Sequence, residues 1–276
     1  MLRSISELES YAIGATDGPI GHVKDFYFDD DAWVIRYLVV DTGSWLMSRK
    51  VLITPMSIRQ ANWSERLLQM SITKEQVKNS PDLDTDKPVS RQHELDYLGY
   101  YGYPNYWGGE GIWGMGLYPG AMLPEYLGAD MAPAERERTE EAHRLVERDR
   151  HRNDDPHLRS CKELIGYHIH ASDGDIGHVE GLLVDEDTWS IRYMVVNTSN
   201  WWLGHKVLVA PPWVTGMDWA KQTVSVDLTR AAIQTAPAYD TANELDRQRE
   251  VALYGHYERA GYWDGWAESD RHESAM

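Results

Sequence analysis

The chain has 276 residues, with 44 acidic side chains against 27 Lys and Arg and a formal charge of −17. Such a field repels phosphate backbones and anionic lipid, which disfavours nucleic-acid binding. The single cysteine, Cys161, excludes an internal disulfide and a cysteine-cluster metal centre.

The opening stretch MLRSISELES holds no apolar core of the signal-peptide kind. The longest apolar runs are strand-sized, far short of the roughly 20 residues that cross a bilayer. With one thiol and no span, the expectation is a cytoplasmic protein, at most peripheral to the inner membrane.

The stretch DGPIGHV (17–23) returns as DGDIGHV (173–179), displaced by 156 positions. The displacement holds without a gap. Upstream it lays Tyr11 on Tyr167 and Ile13 on Ile169. Downstream, DDDAWVIRYLVVDTGSW (29–45) falls on DEDTWSIRYMVVNTSNW (185–201), KVLITP on KVLVAP, and Trp63 on Trp219. RQHELDYLGYYGYPNYWGG (91–109) meets RQREVALYGHYERAGYWDG (247–265). This predicts one module used twice: 1–109, a connector at 110–159, a second copy at 160–265 and a tail at 266–276.

Within a copy, Asp17-Gly18 is a turn signal, because both residues tolerate positive φ. IGHVKDFYFD then reads as a strand, with Gly21 marking a bulge or tight bend. DDDA is an acidic hairpin connection, expected to be a solvated tip. WVIRYLVVD is the clearest strand, rich in β-branched and aromatic residues. After the loop TGSWLMS, RKVLITP is a strand that Pro55 ends. RLLQMSI is a further strand, and its twin QTVSVDL alternates with Val224, Val226 and Leu228 on one face. TKEQVKNSP begins with a Thr-x-x-Gln capping box and predicts a short helix, as does TRAAIQTAP. A second helix is predicted near 90–98, and near 242–259 in the other copy, with a capping box at TANE (241–244). The aromatic tail YYGYPNYW is expected to cover an open end or edge of the sheet. The fold class is therefore mainly β: two small, strongly bent sheets or barrels, each followed by short helices and related by internal duplication.

The connector has no twin. Its first part is rich in Gly, Pro and aromatics; its second is dense in both charge signs. Pro133 suits a helix start and Glu140 with Arg144 is a favourable pair, so a solvated helix or partly disordered spacer is predicted there.

These residues in this order resemble the PRC-barrel domain. The Asp17-Gly18 turn, Gly21 and Val23 at the strand start, the acidic hairpin before Trp33, IRYLVVDTGSW and VLITP carry the resemblance. SPDLDTDKPVSRQHELDYLGYYG resembles the tail of free-standing bacterial PRC-barrel proteins. The domain is named for the cytoplasmic part of the photosynthetic reaction-centre H subunit and also forms the C-terminal half of RimM. The resemblance covers about 4–109 and 160–265, which implies tandem PRC-barrels. Unlike the H subunit, this chain shows no transmembrane helix; unlike RimM, it pairs two PRC-like segments and is acidic.

Chemistry-bearing residues are few. His22 and His178 occupy equivalent positions, and HIH sets His168 and His170 on one side of a strand. These four are the candidate metal ligands, weighed against the more ordinary reading of side chains on a strand. Copy one has Ala12 and Gly14 in place of His168 and His170, so the pair is not part of the module, and it would need a third ligand from elsewhere. Asp29-Asp30-Asp31 and Asp185-Glu186-Asp187 lack the Gly-centred loop and distal Glu of an EF-hand. There is no Gly-x-Ser-x-Gly elbow, P-loop or Gly-x-Gly-x-x-Gly after a strand, so no catalytic residue and no cofactor is implied. Trp45, Trp201 and Trp202 are loop aromatics suited either to anchoring a protein partner or to covering a small core.

The sequence thus predicts a non-enzymatic scaffold or adaptor that binds a protein partner. The alternative implied by the resemblance is an accessory subunit docked on a membrane electron-transfer or photosynthetic complex. A small-ligand or metal-binding protein is a third class. Two tethered copies are expected to pair as an intramolecular pseudo-dimer, with homo-oligomers as the alternative assembly.

Overall fold

A computed structural model describes residues 1–81, 89, 91–107, 111–114, 116–122, 157–198, 205–240 and 245–264. The predicted connector helix around 133–144, the TANE capping box, Trp201 and Trp202 lie outside these residues. The chain divides into two compact units. The first comprises Met1, Arg3–Leu164 and Leu183–Arg192; the second comprises Leu2, Ile165–Leu182 and Tyr193–Met276.

The fold is mainly β, with two seven-stranded sheets. The strands in chain order are β1 (Leu2–Ser4), β2 (Ala12–Ala15), β3 (Gly18–Asp29), β4 (Val34–Asp41), β5 (Lys50–Ile53), β6 (Ile58–Asn62) and β7 (Leu67–Met70). There follow β8 (Leu158–Ser160), β9 (His168–Ala171), β10 (Gly174–Asp185), β11 (Ile191–Asn197), β12 (Lys206–Val209), β13 (Val214–Asp218) and β14 (Thr223–Val226). The first sheet runs β5-β4-β3-β2-β7-β6, with β8 also pairing β3; the second runs β12-β11-β10-β9-β14-β13, with β1 also pairing β10. The two orders are the same. Among the described residues, neither ladder is hydrogen-bonded into a closed ring. In each, the chain passes from one end strand to the other through a 3-10 turn, Pro55–Ser57 or Pro211–Trp213, as proline ending β5 requires.

Short strands β1, β2, β6 and β8 and the one-turn helices Ile5–Leu8 and Cys161–Leu164 are too brief to show a period in the sequence. In the first unit β8 lies antiparallel to β3, with Phe28 opposite Arg159. Ser160 Oγ donates to Asp25 Oδ2 at 2.6 Å and Arg159 Nε approaches Asp30 Oδ2 at 3.3 Å. Burial raises the Asp25 carboxyl, and the bonds from Ser160 and the backbone only partly offset it.

The bulge at Gly21 has a steric cause. A Cβ there would sit 1.9 Å from the Asp41 carbonyl oxygen, and one on Gly177 2.0 Å from that of Asn197. The hairpin after β3 turns through Trp33 at φ 55°, and the one after β10 through Trp189 at φ 60°. Asp29 Oδ1 accepts from the N–H of Asp31 and Ala32, an Asx turn that fixes the first hairpin. The expected solvated tip holds at Asp31 and Ala32, which are exposed, but not at Asp29, which is only 2% exposed and whose other oxygen lies 3.7 Å from Arg36 Nη2.

Strand β4 is buried from Val34 through Val40, so both its faces are covered, which is why the sequence there shows no alternation. Helix Arg91–Tyr101 covers part of it: Tyr37 meets Tyr97 edge-on at 5.1 Å, and Tyr97 Oη donates to the Leu52 carbonyl at 2.6 Å. Helix Lys74–Lys78 starts with the predicted capping box, Thr73 and Gln76 bonding reciprocally. In the second unit the long helix runs Arg247–His256, capped by Asp246, whose Oδ1 accepts from Arg249 N at 2.8 Å. It begins later than the 242 predicted, because the aspartate cap next to it sets the boundary.

Candidate partner-binding groove

The outer face of the first sheet follows from strand alternation. On β2 and β7, Ile13, Leu68 and Met70 are buried in the core. Ala12 and Gly14 therefore point the other way and stand in parallel register with Leu67 and Gln69. The Gln69 amide lies across Gly14, where a Cβ would come within 2.6 Å of its oxygen. Pro19 and His22 continue this face on β3. The 3-10 turn Gly43–Leu46 rises beside it, tied by Gly43 N–H to Asp41 Oδ1 at 2.8 Å and by Thr42 Oγ1 to the Arg49 carbonyl at 2.8 Å.

Together these residues line a groove of ≈ 560 Å³, within the range of pockets that take a small ligand or an inserted side chain. Trp45 forms part of its wall. Its indole N–H donates to the Ile20 carbonyl, and the Lys74 ammonium lies 4.5 Å from its ring centroid. Trp45 is half-buried, so it is a fixed wall rather than a free anchor. Two residues on, Met47 is 91% exposed. The groove is apolar and small-residue-lined, with one imidazole, exposed His22, at its edge. It suits an apolar side chain.

The same face of the second sheet is different. His168 and His170 are exposed on β9; His178 is opposite His168 and Asp175 opposite His170 on β10. His170 Nδ1 lies 2.7 Å from Asp175 Oδ1. That hydrogen bond, more than any other cause, holds the Asp175 carboxyl below the usual carboxylate range. The structure thus brings His168, His170 and His178 onto one face, and places His22 alone on the other sheet.

The Asp29, Asp30 and Asp31 carboxylates converge within 4.8 Å. Asp29 and Asp30 are engaged with Arg36 and Arg159 and with backbone N–H groups, which accounts for the cluster without an ion.

Sequence reasoning missed two buried glutamates. Glu94 is 1% exposed; it accepts from Tyr106 Oη, and its Oε2 lies 2.9 Å from His157 Nε2. Glu250 is 4% exposed; it accepts from Tyr193 Oη at 2.8 Å and Tyr262 Oη at 2.9 Å and pairs with Arg247 at 3.0 Å. Their tyrosines are structural. Burial, followed by the nearby Glu94 charge, raises the Tyr37 phenol well above its ordinary value. The signal was in the repeat itself: Glu94 and Glu250 are 156 positions apart, each in a helix whose covered face is otherwise apolar and aromatic.

Residues 3–76, which include every groove residue, match the PRC-barrel domain. A PRC-barrel domain therefore lies at the start of this chain; it is a small β-barrel module often involved in protein interactions. No curated protein matches the chain. No helix among the described residues is long and apolar enough to cross a membrane.

Proposed function

We propose that the chain is a non-enzymatic scaffold or adaptor built from tandem PRC-barrels, and that the groove beside Trp45 receives an apolar side chain of a protein partner. The observation that carries this reading is the groove itself, with small and apolar residues on its floor and a pinned indole as its wall, and with Met47 exposed two residues beyond that indole. Half-buried aromatics with exposed apolar neighbours are the kind of surface that concentrates binding energy. The charge of −17 favours a basic partner and speeds its encounter.

The test is crosslinking co-purification from the native host, with membrane and soluble fractions analysed separately. Wild type is compared with Leu67→Glu, which puts a charge on the groove floor, and with Met47→Asp beside it. A partner recovered by wild type and lost from Leu67→Glu supports the reading. Equal recovery by all three forms overturns it. The fraction that holds the partner separates a soluble adaptor from an accessory of a membrane complex.

A further inference from the structure

We propose that the outer face of the second sheet is a divalent transition-metal site, in which His168, His170 and His178 supply three imidazole nitrogens and Asp175 orients one of them.

The placement comes from strand geometry. His168 and His170 are two apart on β9 and so share a face, with Ile169 buried between them. His178 is the antiparallel partner of His168. Neighbours two apart on a strand are separated by about 7 Å, and cross-strand partners by about 5 Å. Imidazoles reach a common ion from such positions with metal–nitrogen bonds of about 2.0–2.1 Å. Closing the set requires the rings to turn about χ1 and χ2, and His168 and His170 are exposed, so the rotation meets little packing.

The second observation concerns Asp175. An ionised carboxylate only accepts, so the contact with His170 Nδ1 at 2.7 Å places the proton on Nδ1. That leaves Nε2 as the lone-pair nitrogen. A carboxylate holding the far nitrogen of a ligating histidine fixes its tautomer and raises its basicity. Nitrogen ligands suit zinc, nickel or cobalt better than calcium or magnesium. Three imidazoles leave a fourth position open to water or to a side chain from a partner.

The equivalent positions of the first sheet are Ala12, Gly14 and His22, with Pro19 in place of Asp175. That face holds one imidazole and serves as an internal control. The experiment is titration of the full, untagged, chelator-treated chain with Zn²⁺ by calorimetry at pH 7.5, and with Co²⁺ by visible absorption. The expected result is one equivalent bound, with four-coordinate cobalt bands. His168→Ala or His178→Ala should weaken Zn²⁺ binding by about 10-fold or more, Asp175→Asn by about 10-fold, and His22→Ala not at all. His22, His168 and Asp175 are exposed and His178 is half-buried, and matched thermal melts of the metal-free variants check the fold. No stoichiometric binding overturns the proposal. So does binding that survives both histidine substitutions, as it would if the ion sat at residues 29–31.

Discussion

The two sheets share a strand order but not an outer face. Beneath that face the pairs correspond closely: Ile13 and Ile169, Leu68 and Val224, Met70 and Val226 are all buried. Above it, Ala12, Gly14, Leu67 and Gln69 on one sheet stand where His168, His170, Thr223 and Ser225 stand on the other. The inward sets are alike in character, and each fully buried aliphatic side chain contributes about 1.5–3 kcal/mol. The outward sets carry no such constraint and differ: an apolar groove on one sheet, an imidazole face on the other. The difference teaches where function is to be sought in two sheets of one strand order. Matching positions report packing, and mismatched outward positions report use.

The comparison is tested most severely at the two bulge glycines. Gly21→Ala drives a Cβ into the Asp41 carbonyl, an overpacking cost of about 1–3 kcal/mol or more. Gly177→Ala meets the same clash from Asn197 and adds left-handed strain at φ 149°, a further ~1–3 kcal/mol. Urea unfolding should therefore show both variants destabilised, Gly177→Ala more so. Equal losses would remove the strain difference between the bulges.

The buried glutamates come next. Replacing Glu94 or Glu250 by Ala leaves buried donors without their acceptor, and each should cost about 1–3 kcal/mol. A double-mutant cycle of Glu94→Ala with His157→Ala should give a coupling above about 1 kcal/mol. The corresponding cycle in the second unit is Glu250→Ala with Tyr262→Phe. Simple additivity in both cycles would mean that these contacts do not act as networks.

A transplant sharpens the contrast between the faces. Ala12→His with Gly14→His, beside native His22, rebuilds the three-imidazole pattern on the first sheet. The Gln69 side chain that covers Gly14 is flexible and can move aside. Calorimetry should show this variant gaining a second equivalent of Zn²⁺, weaker than the first because Pro19 supplies no orienting carboxylate. No gain would show that three imidazoles in this register do not suffice.

The smallest effect is the pH response of the two units. Asp25 is raised, chiefly by burial. Its ionised form is disfavoured in the fold, so its penalty disappears as pH falls through the raised value. Asp175 is lowered, chiefly by the hydrogen bond from His170. Its stabilisation is present above the ordinary carboxylate value and is lost as pH falls through the lowered one. Between about pH 6 and 3, the stability of wild type relative to Asp25→Asn should rise, and relative to Asp175→Asn should fall. Urea titrations across that window check the opposite signs; parallel slopes would contradict the assignment.

Much of the fold was legible in the sequence. The long strands β3, β4 and β10 carry β-branched runs bounded by turn residues, and the Thr73 capping box marks its helix. The gapless 156-position echo implied the shared strand order. The three-residue strands β1 and β8 were not legible, because pairing partners far along the chain define them, as β3 defines β8. The candidate site was legible only in part. Trp45 was singled out, but its pinned orientation depends on the Ile20 carbonyl, 25 residues away. His168 and His170 were visible as a pair, whereas His178 as their neighbour required the register across the bulge. The buried glutamates looked like ordinary surface charge, since burial of a helix face is set by what packs on it.

The most direct test is the affinity of the recovered partner for wild type, Leu67→Glu and the His168→Ala/His178→Ala double variant, measured by calorimetry without added metal. The account predicts that Leu67→Glu loses most of the binding and that the histidine variant keeps it. Full binding by Leu67→Glu, or its loss from the histidine variant alone, would contradict the assignment of the groove as the partner site.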